Sequence, residues 1–169
     1  YMAYMATKEG VKVIEVNSRF GDPEAMNIFP VLKDDFVEVC YRILDGKLKK
    51  IDFEKKATVV IYAVPLSYGG YARYSGVKKV NLAEAEKLKE IYGDDLRIYP
   101  GSMELRGSET YSLDSRTVAA VGAAKTLSGA REISIGAIRK IDGPLRHRED
   151  VGLEEYVARS KKHMRDISA

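Results

Sequence analysis

The sequence contains little of what marks the more specialised classes of protein. Its 169 residues include one cysteine, Cys40, so no disulfide can form within the chain, and a reducing compartment is indicated. There is no tryptophan, and only five prolines interrupt a chain that is 45% hydrophobic, which excludes wholesale disorder. No apolar run approaches the roughly 20 residues that a membrane-spanning helix needs. The composition therefore predicts a cytoplasmic globular protein with no membrane partner.

The charge of the chain does not point to a nucleic-acid partner. Lys and Arg number 28 against 25 Asp and Glu, which leaves a formal net charge of only +3. Nucleic-acid-binding domains are usually far more basic, and the eleven tyrosines fall in no recognisable RNA-binding motif. The near-balanced charge thus excludes a nucleic-acid partner, as the lack of a long apolar run excludes a membrane.

The local patterns predict an α+β chain in two parts, 1–46 and 47–169, with a boundary in the lysine-rich stretch 46–56. In the first part we expect a hairpin over 1–6 and 11–16, a short helix that Asp22 and Pro23 begin and Pro30 ends, and a helix capped by Asp34 or Asp35 and closed by Gly46. In the second part we expect strands over 57–64, 96–99, 102–106 and 110–121, a helix opened by an Asn81/Glu84 capping box, a helix capped by Thr126, and a final helix from Leu153 to Met164.

The second predicted strand carries the residues of most chemical interest. Side chains alternate between the two faces of a strand, so Ile14 and Val16 are expected to enter a core while Glu15, Asn17 and Arg19 share the other face. Carboxylate and amide oxygens suit Mg²⁺, and a guanidinium suits phosphate or carboxylate. The spacing alone leaves a second reading open, because such alternation is also typical of a solvated strand face.

The residues that follow this strand decide between the two readings. The string Arg19-Phe20-Gly21-Asp22-Pro23-Glu24 resembles the signature of phosphoribosylamine–glycine ligases, a family of ATP-grasp enzymes. The order of elements over 25–46 resembles the family too, as does the stretch 118–132. Near the end, Arg148-Glu149-Asp150-Val151-Gly152 is similar to the family's Arg-x-Asp-Ile-Gly, with Val151 in place of Ile.

The resemblance implies a fold, a reaction and a set of site residues. The fold would be the C-terminal portion of an ATP-grasp domain, 1–46, followed by a small mixed β-sheet and helix closing domain, 47–169. The family ligates glycine to 5-phosphoribosylamine through a glycyl phosphate, with release of ADP and phosphate, in de novo purine biosynthesis. By this resemblance, the ligands of Mg²⁺ or Mn²⁺ would be Glu15 and Asn17, and Arg19 would steady the transferring phosphate or the glycine carboxylate. The amino-acid pocket would be shaped by Gly21, Asp22 and Glu24. Contacts to substrate would also come from Arg148 and Asp150.

The resemblance also implies that this chain is one part of a longer enzyme. The family's glycine-rich phosphate loop and most of its nucleotide clamp precede the position of Tyr1, so the N-terminal part of the enzyme is an expected partner and this chain alone is expected to be inactive. Two alternatives stay open at this point. One is a non-catalytic small-ligand or protein-interaction domain, and the other is a different ATP-grasp carboxylate–amine ligase.

Overall fold

The computed structural model describes residues 1–70, 72–73 and 76–168. Its strands are β1 (Met2–Thr7), β2 (Gly10–Val16), β3 (Ala57–Pro65), β4 (Lys78–Val80), β5 (Leu96–Pro100), β6 (Met103–Arg106), β7 (Glu109–Ser112), β8 (Val118–Ala124) and β9 (Leu145–Arg146). Its helices are α1 (Glu24–Ile28), α2 (Phe36–Leu44), α3 (Ala83–Glu86), α4 (Lys89–Tyr92), α5 (Leu127–Ile138) and α6 (Glu154–Ser168). In this part of the chain, no helix is long and apolar enough to cross a bilayer.

The core lies between a four-stranded antiparallel sheet, in the order β5-β8-β3-β9, and helix α5. Residues 118–123 of β8 are all buried because the strand has a neighbour on each edge and α5 on one face. The Thr126 hydroxyl caps α5 by accepting a hydrogen bond from the Gly129 amide at 3.1 Å, as the sequence predicts. A smaller sheet, in the order β4-β7-β6, lies beside this core.

Several predicted elements are confirmed. The hairpin forms from β1 and β2, and the Asp35 carboxylate caps α2 by accepting from the Glu38 amide at 2.9 Å. The continuous apolar strand β3 is central in its sheet. The final helix, α6, is present and contacts β1. The α+β class of the chain is thus as expected, because each of these elements has a strong local signal.

The predicted burial of Ile14 and Val16 is wrong. Their side chains are 58% and 65% exposed, and every residue of β2 is exposed. The hairpin is a separate two-stranded sheet, so no larger sheet covers either of its faces within the described residues. A shift in register between Ala3 and Tyr4 also interrupts the simple alternation of side chains before Glu15.

Three predicted element boundaries are wrong for local reasons. At the start of α1, the Asp22 side chain does not cap the helix, because its carboxylate bonds to distant residues instead. At the other end, Pro30 lies within a 3₁₀ turn that follows α1 and is not the residue that ends the helix. Glu84 does not complete a capping box with Asn81, since it pairs with Lys87, and two short helices replace the expected single one. The expected strand 110–121 is broken between β7 and β8.

The segment 31–54 ties the first part of the chain to the second. The Lys33 amide donates to the Asp52 carbonyl at 2.9 Å, and the Glu54 amide donates to the Val31 carbonyl at 2.8 Å. The Thr58 hydroxyl on β3 donates to the Asn27 carbonyl at 3.0 Å. The chain on either side of the predicted boundary is therefore in direct contact, and that boundary stays a prediction.

We expect Gly122→Ala to destabilise the chain by about 1–3 kcal/mol, the usual range for overpacking a core. A Cβ atom at Gly122 would lie 2.1 Å from the Ala130 carbonyl oxygen, which belongs to the α5 backbone and cannot turn away. The measurement is urea denaturation. The matched control is Gly136→Ala within α5, where a Cβ meets nothing within 4 Å, and which should stabilise by about 0.5–1 kcal/mol. Equal stability of the two variants would contradict the close packing of α5 on β8.

Candidate functional site

The Glu24 and Tyr1 side chains both lie against Gly21 of the signature string. The pKa of the Tyr1 phenol is raised, first by the interaction with the Glu24 carboxylate and next by burial, while the charge of Glu15 adds to this effect and the charge of Arg19 opposes it. The charges of these three residues therefore all act on the Tyr1 phenol. The end of β2 is joined to the residue before β1, because the Asn17 amide donates to the Tyr1 carbonyl at 2.8 Å.

Gly21 is the residue that permits this arrangement. It is buried, and a Cβ atom there would lie 2.4 Å from Glu24 Oε2 and 2.8 Å from Tyr1 Cδ2. A side chain at this position would push Glu24 and Tyr1 apart. The role of Gly21 is close approach rather than chemistry of its own.

Glu24 has an oxygen that the described protein atoms do not satisfy. Oε2 is buried and no hydrogen-bond donor reaches it within the described residues. Buried carboxylate oxygens are costly to leave without a donor or a cation. This atom is thus a natural acceptor for an ammonium group or a ligand for a metal ion.

The expected metal ligands lie on β2 and just after it. Glu15 is exposed and lies opposite Ala3 of β1. Asn17 is half-buried, follows two residues later, and its amide bonds the Tyr1 carbonyl. This spacing is compatible with a shared face for the two side chains, which stays a prediction. Arg19 lies beyond the strand, and its guanidinium donates to the Phe20 carbonyl at 2.8 Å. Among the described residues, no group of three His, Cys, Asp or Glu side chains could share a metal ion.

Asp22 faces the second part of the chain. Its Oδ1 accepts from the Tyr62 hydroxyl at 2.8 Å, and its Oδ2 accepts from Arg116 Nη1 at 3.0 Å. Burial and the bond to Asp22 raise the pKa of the Tyr62 phenol, so this hydroxyl stays protonated and donates at neutral pH. Asp22 remains exposed despite these two bonds.

A cavity of about 370 Å³ opens beside Asp22. Its wall is apolar at β3 and its rim is cationic. The lining includes Pro23, Tyr62, Tyr68, Arg116, Arg146 and Arg148. This volume is in the usual range for small-molecule sites. The signature string forms a turn over residues 21–24, called here the signature turn. Pro23 of this turn and Arg148 of the closing Arg-x-Asp motif both line the cavity.

The loop that carries Arg148 and Asp150 is held by α5. Arg131 Nε donates to the Val151 carbonyl at 3.1 Å, and Arg131 Nη2 donates to the Glu149 carbonyl at 2.6 Å. Arg148 grips Asp150 with two hydrogen bonds, of 2.9 and 2.6 Å, which hold the pKa of that carboxyl below its usual value. Arg148 and Asp150 are thus one preorganised pair at the cavity rim.

Sequence reasoning missed Tyr1, Tyr62, Tyr68 and Arg116. The one available signal was Asp114-Ser115, which favours a turn and could have broken the predicted strand just before Arg116. Nothing local indicates that Arg116 meets Asp22, because 94 residues separate them.

The fold is shared with part of a solved enzyme structure. The crystal structure of phosphoribosylamine–glycine ligase from Thermotoga maritima superimposes with a TM-score of 0.67, at 17% sequence identity, over 88% of this chain and 35% of that one. This likeness confirms the expected class, an α+β arrangement found in one portion of such an enzyme.

The sequence is homologous to the C-terminal part of phosphoribosylamine–glycine ligases, which confirms the resemblance carried by the signature string. The ligase from Methanocaldococcus jannaschii is 41% identical over 169 residues, and the ligase from Methanocella arvoryzae is 38% identical over 166. These alignments cover 99% and 97% of this chain. The chain spans only 37% and 36% of the two relatives. No family model matches the chain.

We expect Glu24→Gln to lower the pKa of the Tyr1 phenol towards its ordinary value of 10.0. The negative charge of Glu24 disfavours the phenolate, so its removal makes deprotonation easier. A pH titration of ¹³Cζ-labelled tyrosine by NMR measures this, with Tyr1→Phe assigning the signal. Because the pKa is raised in the folded chain, the interaction stabilises it below pH 10 and is lost as the pH rises through the folded value.

The control for this titration is Glu9→Gln, in the exposed turn between β1 and β2. It removes an equal charge at the end of the hairpin opposite Tyr1 and should leave the Tyr1 titration unchanged. If the Tyr1 titration is the same in Glu24→Gln as in the unchanged chain, the interaction of Glu24 with Tyr1 is wrong.

Proposed function

We propose that the chain is the C-terminal part of an ATP-dependent ligase that joins glycine to 5-phosphoribosylamine. The products would be glycinamide ribonucleotide, ADP and phosphate, in de novo purine biosynthesis. The observation that carries the proposal is the buried Glu24 Oε2 without a donor in the described residues, in a chain 41% identical to a ligase of that name. The names of the relatives favour this reaction over that of another ATP-grasp carboxylate–amine ligase.

The residues on and after β2 fit a hard divalent cation. Alternation along β2 would put the oxygen donors of Glu15 and Asn17 on one face, and Glu24 has a buried oxygen without a donor in the described residues. Mg²⁺ and Mn²⁺ accept such ligands and often take the rest from nucleotide phosphates. When bound with ATP, the ion would neutralise the charge of the phosphates and hold them in line for transfer.

The turn that follows would bind glycine. Asp22 and Glu24 can accept hydrogen bonds from the glycine ammonium, and Gly21 lets its backbone come close. The glycine carboxylate attacks the γ-phosphorus of ATP, which forms glycyl phosphate and releases ADP. Arg19, whose planar fork suits phosphate and carboxylate oxygens, would steady the phosphoryl group as it moves.

The cavity beside the turn would take 5-phosphoribosylamine. Its apolar wall can pack against the ribose, and the charge of its arginine rim, at which Arg148 is held by Asp150, favours the 5-phosphate. The amine of this substrate would then displace phosphate from glycyl phosphate and form the amide. Pro23 lines the cavity, so the glycine and sugar sites would adjoin at the turn.

The remaining part of the enzyme would cover the exposed hairpin. Val11, Val13, Ile14 and Val16 are all exposed, and no larger sheet packs on the hairpin within the described residues. Large exposed apolar patches usually mark an interaction surface. We propose that the N-terminal part, which would supply most of the ATP site, packs here, in the cytoplasmic setting that the single cysteine indicates.

A chimera tests the reaction as a whole. This chain replaces the matching 37% of the Methanocaldococcus jannaschii ligase, and we expect phosphate release that requires ATP, glycine and 5-phosphoribosylamine together. The measurement is a coupled phosphate assay with each substrate omitted in turn. A folded chimera that binds ligands without turnover would favour the non-catalytic alternative.

In the same chimera we expect Glu15→Ala to abolish metal-dependent turnover, because it removes the carboxylate of the proposed metal site. Turnover is measured against Mg²⁺ and Mn²⁺ concentration. Glu9→Ala removes a carboxylate from the turn of the same hairpin and should retain activity. Unchanged activity of Glu15→Ala would refute its role as a ligand.

A further inference from the structure

Both protein partners of the Asp22 carboxylate come from the second part of the chain. Tyr62, on β3, bonds one oxygen at 2.8 Å, and Arg116, just before β8, bonds the other at 3.0 Å. Arg116 Nη1 also reaches the Asp22 backbone carbonyl at 3.1 Å. The turn is thus fixed through its backbone as well as through its side chain.

Arg116 is itself firmly held. Its Nε donates to the Tyr68 hydroxyl at 3.2 Å, and its guanidinium carbon lies 5.8 Å from the centroid of the Tyr62 ring. The next residue, Thr117, is fully buried, and its amide donates to the Ala63 carbonyl of β3 at 3.1 Å. A guanidinium anchored on a core sheet can fix the position and the plane of a carboxylate that it bonds.

We infer that Arg116 and Tyr62 are positioning residues that hold Asp22, and with it the turn from Gly21 to Glu24, on the sheet of the second part. The inference deepens the proposed function and rests on it for the identity of the substrate that Asp22 meets, which is glycine. With one bond on each oxygen, the carboxylate is fixed while its remaining lone pairs and its exposed surface stay open to an ammonium group. The second part would thereby set glycine affinity without touching glycine.

Amide hydrogen exchange on this chain tests directly whether Arg116 and Tyr62 hold the turn. The Ala25 amide donates to the Gly21 carbonyl and the Met26 amide donates to the Pro23 carbonyl, each at 3.0 Å, so both report on the turn. In Arg116→Gln we expect these two amides to exchange about fivefold faster, the factor that an ion pair of this exposure can supply. Tyr62→Phe, the milder change, should give a smaller increase at the same amides.

The matched control is Arg97→Gln. Arg97 lies on β5, beside β8, and pairs at 2.8 Å with Asp94, far along the sheet from the turn. It should leave the Ala25 and Met26 amides unchanged. Equal exchange in Arg116→Gln, Tyr62→Phe and Arg97→Gln would overturn the inference that the turn is held by these residues.

Kinetics in the chimeric enzyme test the consequence for substrate. In Tyr62→Phe we expect the KM for glycine to rise about tenfold, as for the loss of one hydrogen bond to a charged group, with the KM for ATP, whose proposed site does not include Tyr62, within about twofold of its starting value. A purely structural role would move both KM values together, and that result would overturn the link to glycine. An inactive chimera would count against the proposed function, whereas the exchange measurement needs no catalysis and still decides whether the turn is held.

Discussion

The Asp22 carboxylate joins the two parts of this chain, and the arrangement of the candidate site depends on that junction. Its two oxygens bond Tyr62 and Arg116, which both belong to the antiparallel sheet or its edge. The neighbouring Gly21 leaves room for Glu24 and Tyr1 on the other side. Glu24 therefore lies on a turn that is bonded to the core sheet through Asp22. The Glu24 oxygen without a hydrogen-bond donor belongs to that same turn.

No single bond at this junction would hold the turn alone. An ion pair whose two side chains are 40% and 47% exposed contributes only about 0.2–1 kcal/mol, because water screens it. The bond from Arg116 to the Asp22 carbonyl adds a constraint on the backbone, and the Tyr62 hydroxyl adds a donor that burial keeps protonated. Farther along, Thr58 bonds the carbonyl of Asn27. Several modest interactions spread over one turn and one helix act together where one would not suffice.

The sequence predicts what local chemistry determines and misses what distant contacts determine. Helices α2 and α5 are predicted because Asp35 and Thr126 cap them by bonding backbone three residues away. Asp22 has the same local signal for a cap, yet partners 40 and 94 residues away take its carboxylate. The exposure of Ile14 and Val16 is equally beyond local reasoning, because alternation predicts which side chains share a face and not whether that face is covered.

The turn 21–24 lies between two groups of charged side chains. On the side of β2 lie the carboxylates of Glu15 and Glu24 with Arg19, and on the side of the cavity lie Arg116, Arg146 and Arg148, of which Arg116 pairs with Asp22 and Arg148 with Asp150. Carboxylates favour a metal-bound nucleotide and an ammonium group, while the arginine rim favours a sugar phosphate. In the proposed reaction an amine in the cavity would have to reach a carbonyl at the turn, and Pro23, which belongs to the turn and lines the cavity, is the residue at which the two sites would adjoin.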